Sequence, residues 1–219
     1  MKKELYKIMG IMAIATSLMA CDEHRDFPGT AMKPCHILCT DGKVLSVSDF
    51  EQSDKRAIAV VFHINHNEDT EGNGYAVYLW NLESLAFADS IGVKQNTSAD
   101  ITAMDGFENT FALLNTKDTS SPLAEKVFDL WKYGQSAYIP SVAQMRLLYH
   151  AKEQINPVIK MCGGDTLPVA ADDCWYWTST EVNEQETAKA WLYSMGSGAI
   201  HDTPKTQAHQ SRAIITLRD

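Results

Sequence analysis

Trp175-Tyr176-Trp177-Thr178-Ser179-Thr180-Glu181 is the stretch on which the fold class turns. It is aromatic and β-branched and shows no helical spacing, so Trp175 to Thr178 reads as a strand. Downstream, Ala188 to Met195 reads as another, with Trp191, Tyr193 and Met195 on one face by the period of two. Gly196-Ser197-Gly198 is a turn, and Ser211 to Leu217 (SRAIITL) is the last strand. The C-terminal third is therefore sheet.

Upstream of it the pattern changes to helix. Asp105 stands three residues before Glu108 in a capping-box arrangement, with Phe107, Phe111 and Leu114 expected on one face. Ser121-Pro122 places a capping serine before a proline at the first helical position. Leu123, Val127, Leu130 and Trp131 follow at helical spacing, and Gly134 stops the run. Ser141 and Gln144 form another capping box, with Val142, Met145 and Leu148 facing the core. Asn156-Pro157 is expected to end that helix and to cap a short one that carries Ile159. Further upstream, Arg56 to Asn65 (RAIAVVFHIN) reads as a buried strand, and Asn73-Gly74 as a turn. Tyr75 to Trp80 (YAVYLW) is its hairpin partner. Asp41-Gly42 turns the chain into Lys43-Val44-Leu45. Strands, then helices, then strands predict an α+β fold with a mainly antiparallel sheet.

The N-terminus reads as an export signal. Lys2, Lys3 and Lys7 precede an apolar run from Ile8 to Leu18, too short to span a bilayer, which takes about 20 apolar residues. The run ends Leu18-Met19-Ala20-Cys21, which resembles a bacterial lipobox. That resemblance implies cleavage before Cys21 and lipid attachment at Cys21; an ordinary signal peptide with an incidental cysteine is the other reading. The expected organisation is a signal peptide over residues 1–20, an acidic tether over 21–35 and one domain over 36–219. Asp22-Glu23 just after the anchor resembles the surface-export signals of some Gram-negative lipoproteins. The expected location is the cell envelope, lipid-anchored in the outer membrane and surface-exposed.

Composition narrows the function classes. The 219 residues carry 19 Lys and Arg against 28 Asp and Glu, a net charge of −9. Removing residues 1–20 takes away three lysines and one glutamate and leaves the remainder at −11. An acidic chain with no basic stripe excludes phosphate-backbone recognition, so nucleic acid is not an expected partner. Hydrophobic residues at 45% and charged residues at 21% exclude a disordered chain.

Tyr138-Ile139-Pro140-Ser141, then Gly163-Gly164, then Tyr176-Trp177-Thr178-Ser179-Thr180-Glu181, then Ala190-Trp191, Gly198, Lys205 and Arg212-Ala213 follow one another in an order that has a family look. The series resembles the bacterial C-type-lectin-like domains of envelope lipoproteins, fimbrial-tip subunits and phage tail-fibre tips, over roughly residues 36–218. The resemblance implies a C-type-lectin-like fold with two or three helices, long C-terminal loops and a binding role without chemistry. The Glu-Pro-Asn or Gln-Pro-Asp signature of calcium-dependent sugar binding is absent.

The remaining residues offer candidate sites. Cys35, Cys39, Cys162 and Cys174 could bridge locally, Cys35 to Cys39 and Cys162 to Cys174, or stay free thiols. Cys-x3-Cys supplies only half a zinc site, and His63 and His66 fall on opposite faces of a strand, so no metal and no cofactor is expected. Ligand contact is expected from two loops, Gly163 to Trp175 and Gly196 to Gln210, through Trp175, His201, Asp202, Lys205, Gln207 and His209. Trp177 and Trp191 are expected in the core. Glu181 and Arg212 are expected to pair with each other or to satisfy loop backbone. No phosphate loop, dinucleotide motif or nucleophile elbow appears, so catalysis is not expected. The competing reading is an envelope hydrolase using Glu181 or the loop histidines. A glycan, a surface protein or a larger surface assembly is the expected partner.

Overall fold

A computed structural model describes residues 32–66, 72–130, 136–169 and 174–218. The signal segment, Cys21 and Asp22-Glu23 lie outside the described residues, as do Trp131 and Gly134 and the stretch 170–173 of the first expected loop. Met32 packs partly buried on the core, and the Cys35 N–H donates to Val61 O at 2.9 Å.

The chain starts with short strands β1 (Ile37–Cys39) and β2 (Val44–Leu45), a single-turn helix α1 (Val47–Glu51) and the hairpin β3 (Ala57–Ile64) and β4 (Gly74–Tyr78). Strand β5 (Leu82–Ala86) leads through a long irregular segment to helices α2 (Gly106–Asn115) and α3 (Pro122–Phe128). Then come β6 (Ala137–Tyr138), the long helix α4 (Val142–Met161), and strands β7 (Trp175–Glu181), β8 (Lys189–Ser194), β9 (Ile200–Pro204), β10 (Ala208–Ser211) and β11 (Ile214–Leu217). Among the described residues these form a six-stranded sheet, β2-β1-β3-β4-β11-β6, and a five-stranded sheet, β5-β10-β7-β8-β9. Pairing is antiparallel throughout except between β10 and β7. The fold is α+β with antiparallel-rich sheets.

The alternation of β3 explains the layers. Ala59 and Val61 join one apolar cluster and Val60 and Phe62 the other, so the strand is buried on both faces. Met145, Leu148, Ile155 and Ile159 of α4 pack with Val60, Val77 and Ile214. On the opposite face Leu113 of α2 and Leu123, Ala124 and Val127 of α3 meet Ala76, Ile215 and Trp177. The five-stranded sheet contributes to both: Tyr176 and Tyr193 go to the α4 cluster, Trp177 and Leu192 to the other.

Two helix starts form as the sequence predicts. Ser121 accepts from Ala124 N at 3.2 Å with Pro122 at the first position. Ser141 and Gln144 exchange both bonds of a capping box, and the Gln144 amide is further held by Tyr138 Oη at 3.1 Å. Gly106 begins α2 directly against that box. A Cβ at 106 would stand 2.6 Å from Ile139 O and 2.8 Å from Ser141 N, both backbone atoms that cannot retreat. Gly106→Ala is therefore expected to cost about 1–3 kcal/mol by overpacking, read as a fall in the midpoint of urea unfolding.

Four expectations need correction. Asp105 makes no side-chain bond to the α2 backbone; it accepts from Asn109 Nδ2 at 2.8 Å instead. Phe107, Phe111 and Leu114 do not form the buried face of α2: Phe111 is 58% exposed, and Gly106, Asn109, Thr110 and Leu113 face inward. Helix α4 does not end at Asn156-Pro157 but runs on to Met161. Pro157 and Glu153, whose carbonyl the missing N–H would have met, are both exposed, so water can satisfy the freed group. Finally, Ser211 to Leu217 is not one strand. The chain leaves the five-stranded sheet at Ser211 and enters the six-stranded sheet at Ile214.

Candidate binding surface

The polar residues of the C-terminal third divide into an internal set and a surface set. Glu181 is the hub of the first. It ends β7, is fully buried, and forms an ion pair with Lys205, which is equally buried. Its carboxylate also accepts from the backbone N–H of Gln95 (2.8 Å), the backbone N–H of Thr97 (3.1 Å) and the Thr97 hydroxyl (3.0 Å). Lys205 donates in addition to Val93 O at 3.2 Å and lies 5.5 Å above the Phe87 ring. Burial holds the Lys205 ammonium below the usual lysine range, and the bond to Glu181 pulls it part of the way back. The pair thus fixes the irregular segment between β5 and α2.

Arg212 does the same work for another part of the chain. It is fully buried where the chain crosses between sheets. Its guanidinium donates to Tyr78 O (2.6 Å), Leu79 O (2.7 Å), Asp165 O (2.8 Å) and Asn81 Oδ1 (2.7 Å). Burial lowers its pKa to about 10. Glu181 and Arg212 therefore satisfy loop backbone and do not pair with each other, because each has a full set of nearer partners. The segment after α4 is tied down further by Asn156, which accepts from Leu167 N and donates to Leu167 O, both at 2.8 Å.

The surface set is smaller than the sequence suggests. Residues Gly196 to Gln210 are not one loop: Ile200–Pro204 and Ala208–Ser211 are strands β9 and β10. Lys205 between them is internal and unavailable to a ligand. Asp202 is half-buried and ion-paired with Lys189 across β8–β9. What the structure brings together is Trp175, His201 and His209. The half-buried Trp175 ring lies 5.9 Å from that of the exposed His201. His209 stands edge-on to Trp177 at 5.4 Å, with Gln207 Oε1 3.5 Å from its Nε2. His201 Nδ1 is 3.0 Å from the Thr203 hydroxyl. Trp177 is fully buried, with its indole N–H donating to Leu85 O at 3.0 Å. Trp191 is only partly buried, a correction to its expected core place; it packs at the margin of the α4 cluster while its paired residue Asp202 lies at the surface.

The four cysteines of the described region are free thiols. Burial raises the Cys35 and Cys39 thiols, Asp41 adding to the effect at Cys39. Cys162 is pushed up to about 11, first by burial and then by neighbouring Cys39. Of the two readings left open, local bridges or free thiols, the structure has the second, with Cys39 in the α4 cluster near Cys162. Among the described residues no three of His, Cys, Asp and Glu gather as a metal-holding group, and no helix is long and apolar enough to cross a membrane.

Sequence reasoning missed several residues that shape this region. Lys152 of α4 is buried, donates to Met195 O and stacks 4.1 Å from the Tyr149 ring centroid. Asn81 links Arg212 to Tyr176, accepting from the Tyr176 hydroxyl at 3.3 Å. Asn81, between Trp80 and Leu82, stands out as polar among apolar neighbours, but Lys152, beside Glu153 and Gln154, reads as an ordinary solvated helix position, and nothing in one sequence says which distant group either will meet.

The histidines give the domain a directional pH response. Burial holds His36, His63 and His209 below 6.5, reinforced by Lys33, His66 and His201 respectively. In each case the unfolded chain takes up the proton more readily than the folded one. Stability is therefore greatest above 6.5 and declines as pH falls through that value towards the folded pKa. The Tm is expected to fall between about pH 7.5 and about pH 5.5, and His209→Gln to flatten that slope.

No family model and no curated protein matches the chain. Among solved structures, the chain is similar to a fimbrial protein from Bacteroides ovatus, with a TM-score of 0.67 at 16% sequence identity. The match covers 85% of this chain and 49% of that one, so the chain spans about half the length of the structure it resembles. What the two share is the fold.

Proposed function

We propose that the chain is a lipid-anchored cell-envelope protein of adhesin-like type, built on a C-type-lectin-like domain, that binds a glycan or a surface protein without catalysing a reaction. The observation that carries this reading is the use made of the ionisable groups. Glu181, Lys205 and Arg212, the residues best suited to acid–base or oxyanion roles, are committed to bracing irregular backbone, each with several partners. A scaffold that spends its buried charges on fixing loops suits recognition, where rigid presentation limits the entropy lost on binding. Trp175 and His201 on the five-stranded sheet offer the contact surface, an aromatic ring beside an imidazole. The fold shared with a fimbrial protein agrees with an envelope role, and Cys21 at lipobox spacing supplies the anchor.

The test has two arms. The domain is screened against glycans and purified envelope proteins, and hits are remeasured with Trp175→Ala and His201→Ala. Loss of binding in both variants, with unchanged melting, is the expected result; hits that survive both place recognition elsewhere. Separately, metabolic labelling with an alkyne fatty acid is expected to mark the parent chain and leave Cys21→Ala unmarked. Equal labelling of the two would remove the anchor from the reading.

A further inference from the structure

A cavity of about 240 Å³ opens where the ends of β1, β3 and β4 meet the segment after α3. Its walls are mostly apolar: Ala57, Ile58, Tyr78, Leu82, Leu130 and the ring of Trp80. Trp80 is 47% exposed, an unusual place for so large an apolar side chain. The polar groups at its rim are Thr40, Arg56 and Asn81.

These groups are biased towards donating. Arg56 is exposed and brings a guanidinium that no carboxylate among the described residues engages. Asn81 Oδ1 is occupied by Arg212 and the Tyr176 hydroxyl, so the amide is oriented and what it has left to offer is its NH₂ group. Trp80 adds an indole N–H. Three nearby carboxylates are already engaged: Asp41 is paired with Lys55, Glu83 with Lys126, and Asp165 accepts from the Asn81 backbone N–H at 3.0 Å. Asp54 and Asp129 adjoin the site in sequence but are not part of its lining. In a chain of net charge −9, an apolar cavity that no carboxylate among the described residues lines, and whose edge carries an arginine none of them pairs, is electrostatically distinct from its surroundings.

We propose that this cavity is a binding site for a small apolar carboxylate, an aryl or branched aliphatic acid whose body lies against Trp80 and Tyr78 and whose carboxylate meets Arg56. The volume is below that of a site for a drug-sized ligand, which fits one ring or one branched chain rather than an extended molecule. A sugar acid has the charge but not the apolar body that six of the lining residues require. The site shares no residue with the Trp175–His201 surface and stands or falls independently of it.

The experiment is a saturation-transfer NMR titration of the full chain with phenylacetate, phenylacetamide and glucuronate. Phenylacetate is expected to bind saturably with a Kd of about 1 mM or tighter, and the neutral amide about tenfold more weakly. Arg56→Gln is expected to weaken phenylacetate by about tenfold and leave the amide unchanged, Arg56→Lys to retain part of the preference, and Trp80→Ala to abolish binding of both. Both positions are exposed enough for the variants to fold, checked by circular dichroism. Equal binding of acid and amide, indifference to Arg56→Gln, tighter binding of glucuronate than of phenylacetate, or no saturable binding at all would each overturn the proposal.

Discussion

Replacing Lys205 by Met is expected to cost the domain about 3–5 kcal/mol, because it strands the Glu181 carboxylate in a site closed to water. For a domain of this size that corresponds to a fall in Tm on the order of 10 °C. The loss is not that of a salt bridge in the ordinary sense. An exposed pair such as Lys126–Glu83 contributes little when removed, since each partner returns to solvent. Glu181 has no such recourse: it is buried and must keep holding the Gln95 and Thr97 amides. Adding Glu181→Gln to Lys205→Met is expected to recover part of the stability, because the amide keeps an acceptor for Gln95 and removes the uncompensated charge. Thermal melting of the single and double variants checks both statements. A single variant that melts like the parent would show that the pair does not matter to the fold.

Trp177→Ala is expected to be as costly, about 3–5 kcal/mol. Trp177 is fully buried, packs 5.5 Å from Phe87 and lies in the cluster that joins the two sheets through Ala213 and Ile215. Its indole N–H also donates to Leu85 O, so the substitution opens a cavity and removes a hydrogen bond together. Trp175→Ala, two residues away on the same strand, is expected to cost far less, because Trp175 is half-exposed. Urea unfolding of the two variants side by side separates core from surface on β7.

How far the sequence leads depends on the range over which each signal acts. The Ser121 and Ser141 helix starts were legible because a cap is satisfied within three residues of itself. The β3–β4 hairpin was legible because its apolar runs are continuous and adjacent. Strand β9 was not: Ile200–Pro204 is polar and alternates with two half-exposed faces, and it is a strand because β8 offers an open edge. Strand β5, five residues without alternation of apolar and polar positions, likewise declares itself only when β10 pairs with it. The same distinction divides the site residues. Glu181 and Arg212 stood out as charged residues bounding strand-like runs, WYWTST before the first and AIITL after the second. Their partners lie 84 and more than 130 residues away for the contacts that matter most, Thr97 and Tyr78. Pro157 was misleading because the sequence does not state that the carbonyl it orphans would face water.

The place of β11 has a consequence for the order in which the protein is made. That strand lies between β4 and β6, yet it leaves the ribosome after every other strand of its sheet. At ordinary synthesis rates β4 waits on the order of 10 s for its neighbour, with its backbone edge open all that time. The six-stranded sheet cannot close early, however quickly the hairpin and the helices form. A nascent chain stopped before Ile214 would carry two unfilled edges flanking an empty slot, a shape that invites any extended segment, its own or another's. Whatever keeps such a chain apart from others during those seconds, whether a chaperone or a passage through a narrow channel, acts on a chain whose fold is delayed by its own topology.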